Sequence, residues 1–158
     1  MGVSQASLAR PFLSRSPVPL LLLGAAGPLA WWGLVHWQVP VSSGWPGYWT
    51  AVHLILLVPV LEEIVFRGVL QPGIQRRLER HLRQVSAAWL AIGVSSVLFA
   101  ALHLVQHAPL WAAATFIPSL AFGYVRWWYG SLGAAVGLHV FYNAGFFIWV
   151  AGWAVSGA

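Results

Sequence analysis

Five apolar stretches, each near the length a helix needs to cross a bilayer, constrain this chain more than any other feature. They run over Val18–Trp37, Trp49–Leu70, Ser86–Leu104, Leu110–Trp128 and Leu132–Trp153. A helix rising 1.5 Å per residue needs about 20 apolar residues to span a bilayer core. The chain is 59% hydrophobic and 7% charged, where soluble domains carry about a quarter of their residues charged. The expected fold is therefore all-α, a polytopic transmembrane helix bundle of about five spans. One integral membrane domain over residues 1–158 is expected, with a motif-bearing core over about 49–153. The first stretch follows Arg10 and Arg15 as a signal peptide would, but it continues apolar through Trp31, Trp32 and Trp37. It reads as a retained anchor helix.

The basic residues give the orientation. Eight arginines and no lysine produce the formal charge of +5. Arg10 and Arg15 precede the first stretch, Arg76, Arg77, Arg80 and Arg83 lie between the second and third, and Arg126 closes the fourth. A cytoplasmic N-terminus puts all seven of these on the cytoplasmic side, as the positive-inside rule requires, with the C-terminus outside after five spans. The expected location is a bacterial inner membrane. Arginines set between apolar spans point to anionic lipid headgroups and away from nucleic acid. Trp45, Trp49, Trp111, Trp127, Trp128 and Trp153 flank span ends as an aromatic belt does. Between spans two and three, Ile74, Leu78 and Leu82 recur four apart among basic residues. This reads either as a short amphipathic helix on the inner surface or as an ordinary basic loop. With no cysteine, disulfides, thiolate metal sites and a cysteine nucleophile are excluded.

Within the spans the ionisable residues are few. Glu62 and Glu63, two of the three acids in the chain, stand together in span two with Arg67 four residues later. A charge near the bilayer centre costs about 2.5–3.5 kcal/mol on insertion scales, so these positions call for a purpose. A structural ion pair with Arg67, one turn on, is the plain reading. An intramembrane active site is the sharper one. His103 lies near the end of span three, four residues after Phe99, and His139 and Asn143 lie four apart on one face of span five. Polar side chains on three helices must find partners in a medium of low dielectric constant, and meeting in one pocket satisfies them all. Such a pocket holds the parts for hydrolysis. A carboxylate and an imidazole activate water as general bases; a second imidazole and a carboxamide donate to a developing oxyanion.

In their order, Glu62-Glu63-x-x-x-Arg67, Phe99-x-x-x-His103 and His139-x-x-x-Asn143 resemble the motifs of the CPBP family. That family includes the type II CAAX prenyl endopeptidases and bacterial bacteriocin-processing or self-immunity proteins. The resemblance covers about half the chain, from span two to span five, and leaves span one aside. It implies a glutamate-dependent intramembrane endopeptidase that cleaves a membrane-associated protein or peptide. On that pattern Glu62 and His103 activate the attacking water, and His139 with Asn143 stabilise the oxyanion. Glu63 and Arg67 orient the site or contact substrate, and no cofactor is needed. Pro59, one turn before Glu62, removes a helix hydrogen bond and either opens the backbone near the site or is a tolerated kink. Three other readings remain. A zinc enzyme would use Glu62, His103 and His139 as ligands with an open fourth position. A small transporter or proton relay would show inverted repeats, and a non-enzymatic immunity protein would have no use for an intact constellation. Depth poses a difficulty. With span two ending at Leu70, Glu62 lies roughly 12 Å from the inner end of its helix, whereas His103 lies roughly 25 Å from the inner end of its own.

Overall fold

The computed structural model describes residues 15–36 and 47–151. Arg10, Trp37, Trp45 and Trp153 fall outside them, and with them the expected ends of the first and last spans. Every regular element among the described residues is helical. We label the helices α1 (Val18–His36), α2 (Tyr48–Leu78), α3 (Gln84–His103), α4 (Pro109–Ala114), α5 (Phe116–Tyr129) and α6 (Leu132–Gly145), the last running on as a π segment over Phe146–Ala151. Three helical stretches, Tyr48–Leu78, Gln84–His103 and Leu132–Trp149, are long and apolar enough to cross a membrane, and Val18–Leu34 is a shorter apolar helix. The expected fourth span is broken at Thr115. There Pro118 lacks the N–H for the first turn of α5, and the Thr115 hydroxyl turns back to the Ala112 carbonyl at 2.7 Å.

The second span differs most from expectation. It does not stop at Leu70 but continues to Leu78, so the amphipathic stretch from Ile74 is the last turns of α2 and not a separate surface helix. Only the turn after Leu78 leads into α3. The longer helix removes the depth difficulty. Counted from Leu78, Glu62 lies about 24 Å along α2, and counted from Gln84, His103 lies about 28 Å along α3.

By its contacts the chain divides into two units. One comprises Glu62–Ala135 with the residues up to Ser16; the other comprises Pro17–Leu61 and Val136 onward. In the first, α3 packs against α5 and against the C-terminal part of α2. Its buried face is built mostly from small residues, Ala87, Ala88, Ala91, Ser95 and Ser96, with Ile92 and Phe99 among them. Small side chains let helix backbones approach closely where lipid offers no competing hydrophobic drive. Gly123 of α5 serves the same end, because a Cβ there would come within 3.0 Å of both Ile92 and Gln71. Gly130, at φ 66°, ends α5 in the left-handed conformation a non-glycine residue resists. Polarity is inverted relative to a soluble protein. Glu63, Arg67, Gln71, Ser95, Ser96 and Ser119 are buried, while Val65, Val69, Val97 and Leu102 lie bare. An apolar exterior around a polar interior is what a lipid solvent selects.

In the second unit α1 meets α6 and its π extension. The Tyr142 hydroxyl donates to the Leu23 carbonyl at 2.6 Å, and the Trp31 ring lies 5.2 Å from Phe141 and 6.3 Å from Tyr142. Gly145 sits directly under the Trp31 indole, which a Cβ would overlap.

Two π turns interrupt α2, at His53–Leu57 and Ile64–Leu70. Each has the same cause. The rings of Pro59 and Pro72 would strike the carbonyls four residues back, those of Ile55 and Gly68, and widening the turn relieves the clash. The π register is explicit, with the Val58 N–H bonded to the His53 carbonyl and the Gln71 N–H to the Phe66 carbonyl. The next acceptor in each turn, Leu54 or Arg67, would need an N–H from Pro59 or Pro72, which has none. A side chain from a distant helix fills each vacancy. Asn143 Nδ2 donates to the Leu54 carbonyl at 3.0 Å, and Arg126 Nε donates to the Arg67 carbonyl at 3.2 Å.

Candidate active site

Glu62 and Glu63 are neighbours in sequence but point about 100° apart around the helix axis, and their surroundings differ accordingly. Glu63 is fully buried, with Oε2 3.4 Å from Arg67 Nε, and neither side chain is exposed. The Arg67 NH2 group donates to both the carbonyl and the hydroxyl of Ser119, at 2.7 and 2.6 Å. Its guanidinium lies 5.0 Å from the Phe99 ring and 5.7 and 5.8 Å from those of Phe66 and Phe122. A charge placed among three aromatic faces, with a carboxylate and two oxygens as partners, is stabilised in a dry interior.

Glu62 turns toward α3. Its Oε1 lies 4.0 Å from His103 Nε2, and the two side chains are 19% and 18% exposed. The other ring nitrogen, Nδ1, lies 2.9 Å from the Phe99 carbonyl. A carbonyl only accepts, so Nδ1 carries the proton, and in the neutral ring Nε2 offers its lone pair toward Glu62. Two acceptors 4.0 Å apart are beyond direct hydrogen-bond range, and a single water giving one hydrogen to each spans roughly 4–4.5 Å. Phe99 holds the imidazole twice over, by this carbonyl and by its ring, 4.5 Å from that of His103; its far side meets Phe66 edge-on at 5.1 Å.

His139 and Asn143 belong to the other unit, on α6. His139 is buried at 5% exposure. The carboxamide of Asn143 is fixed by its bond to Leu54, which uses one of its two N–H groups and leaves the second. The first unit thus brings together Glu62, Glu63, Arg67, Phe99 and His103, and the second holds His139 and Asn143. For a metal, the first unit offers Glu62 and His103 among the described residues; a catalytic zinc takes three ligands from protein.

Sequence reasoning passed over three residues here. His107 is exposed and stacks on the His103 ring at 5.7 Å; its spacing of four from His103 was the available signal. Ser119, the acceptor for Arg67, and Gln71, buried with Nε2 3.0 Å from the Gly123 carbonyl, gave no signal, because their partners lie 52 residues away.

Fold and polar interior together define an integral membrane protein with an ionisable cluster inside its helices. The chain belongs to the type II CAAX prenyl endopeptidase Rce1-like family, whose model matches residues 43–145, about two thirds of its length. The match contains every motif residue from Glu62 to Asn143. The family is one of proteases, and membership implies a membrane-associated peptide substrate. No curated protein and no solved structure matches the chain.

Proposed function

We propose that the chain is a glutamate-dependent intramembrane endopeptidase that hydrolyses a peptide bond through a water held between Glu62 and His103. The 4.0 Å gap between Glu62 Oε1 and His103 Nε2 carries the reading. Both atoms facing the gap are acceptors, so a water there directs its hydrogens at the two bases and its lone pairs at an incoming carbonyl carbon. On attack, Glu62 takes the proton, and the imidazole, oriented by the Phe99 carbonyl, shares it and passes it to the leaving amine. His139 and the second N–H of Asn143 are the proposed donors to the oxyanion. Glu63 and Arg67 form a buried brace behind Glu62. Partial exposure of Glu62 and His103 lets water reach the pair, which full burial would prevent. The whole chain, 1–158, is proposed to act as one protease domain in a bacterial inner membrane.

Glu62→Gln keeps the shape and removes the proton acceptor. Cleavage by the purified variant should fall by about 10²–10⁴-fold, the usual loss on removing a general base, with the helical circular dichroism spectrum unchanged. Turnover near that of the wild type would overturn the assignment. Activity should also survive exhaustive chelation. Loss on chelation with recovery on stoichiometric zinc would instead recruit Glu62 and His103 as ligands.

A further inference from the structure

A cavity of about 200 Å³ lies in the first unit, bounded by Gln71, Pro72 and Gln75 of α2, Gln84 at the start of α3, and Arg126 and Trp127 near the end of α5. The ε nitrogen of Arg126 is tied to the Arg67 carbonyl at 3.2 Å. That bond fixes the guanidinium at one corner, and Arg126 lines the cavity. A guanidinium held this way presents a rigid fork matched to two phosphate oxygens. Across from it, Gln84 is the first residue of the 20-residue helix α3, and the preceding Arg83 makes no side-chain cap. The first-turn N–H groups of a helix have no partner within it and carry the positive end of its dipole, an arrangement suited to phosphate. Gln71, 2% exposed, gives Nε2 to the Gly123 carbonyl, and its Oε1 has no hydrogen-bond partner among the described residues. Gln71 lines the cavity, and an unpaired buried acceptor on a lining residue is suited to a ligand that brings a hydroxyl. The nearest acid in sequence, Glu79, is engaged by Gln75 at 2.8 Å.

The setting favours a lipid over a soluble ion. Trp127 stands in an aromatic cluster with Trp89, Tyr124 and Trp128, ring centroids 6.0–6.2 Å away, and such side chains gather at the headgroup level. The turn after α2 adds Arg80 and Arg83. We propose that this cavity binds the phosphodiester headgroup of an anionic glycerophospholipid. Its phosphate sits between Arg126 and the start of α3, and a headgroup hydroxyl donates to Gln71 Oε1.

Native mass spectrometry of the full chain in detergent, with phosphatidylglycerol or phosphatidylcholine added, tests this directly. The wild type should retain phosphatidylglycerol in preference to phosphatidylcholine. Arg126→Gln removes the fork and Gln84→Glu sets a carboxylate against the phosphate; each should weaken retention by about tenfold, the worth of one charge-assisted contact. Gln84→Glu also favours the helix dipole, so it folds and decides the matter should Arg126→Gln lose its helical spectrum. Equal retention of the two lipids, or undiminished phosphatidylglycerol binding by Gln84→Glu, overturns the proposal. Displacement of the lipid by excess inorganic phosphate does so too, since it gives the site to a soluble phosphate. The readout is binding, so the result stands apart from whether the chain cleaves peptides.

Discussion

Adjacent glutamates in one helix have different surroundings, and one measurement separates the tasks proposed for them. Glu63 and Arg67 are both fully buried and 3.4 Å apart, so removing either leaves the other charge buried without its partner, at a cost of about 3–5 kcal/mol. Glu62 is partly exposed and 4.0 Å from its histidine, beyond the range in which a direct bond would stabilise the fold. Glu63→Gln should therefore lower the thermal unfolding midpoint in detergent markedly, and Glu62→Gln should leave it near that of the wild type. Replacing Glu63 and Arg67 together by Gln and Met should cost less than Arg67→Met alone, because no unpaired charge remains. Equal losses of stability at positions 62 and 63 would contradict this division of labour. The pairing of two acids with an arginine one turn on was legible in the sequence. Which acid faces inward was not, because that depends on where α5 brings Ser119 and Phe122, and neither residue has a signature of its own.

At the scale of the element, α2 owes its form to two prolines whose effects are answered from elsewhere in the chain. The sequence showed Pro59 as a kink near the site. It could not show a π turn, since the compensating donors, Asn143 and Arg126, lie 89 and 59 residues from the carbonyls they satisfy. The same blindness ended span two at Leu70: a run of polar residues looks like a loop until Gln71 is seen to bond the Gly123 carbonyl within the fold. If Asn143 stands in for the missing N–H of Pro59, the two positions are coupled. Asn143→Ala should destabilise the chain by about 1–3 kcal/mol, the cost of a polar group left unpaired away from water, since the Leu54 carbonyl it serves is partly buried. In a Pro59→Ala background, where residue 59 recovers an N–H for the Leu54 carbonyl, the same substitution should cost much less. Thermal unfolding of the four proteins closes the double-mutant cycle. Strictly additive effects would mean that the Leu54 carbonyl is satisfied some other way. On the proposed mechanism Asn143 gives one N–H to the Leu54 carbonyl and the other to the oxyanion. Its loss should accordingly impair both stability and cleavage, with Pro59→Ala restoring stability alone.

For the molecule as a whole, the distribution of charge sets the face on which the proposed chemistry takes place. Arg76, Arg77, Arg80 and Arg83 cluster around the turn between α2 and α3, Arg126 lies at the end of α5, and the turn after His103 carries no arginine. The positive-inside rule assigns the first two regions to the cytoplasmic face and the last to the opposite one. Glu62 and His103 stand about 24–28 Å along their helices from the arginine-rich turn, against a hydrocarbon core about 30 Å thick. His103 is the last residue of α3, at its end away from the arginines, while Glu62 lies midway along α2, so the proposed water site lies within the membrane on the side opposite the arginines. The absence of cysteine from the chain makes the test clean. Arg80→Cys should react with a membrane-impermeant maleimide only after cells are permeabilised, and Gln106→Cys should react in intact cells. Both positions are exposed turn residues outside the site, so the substitutions should leave the fold intact. Labelling of both from one side would show that α3 does not cross the membrane. Labelling in the reverse order would turn the proposed site toward the cytoplasm, and substrates would then have to present their scissile bonds from that side.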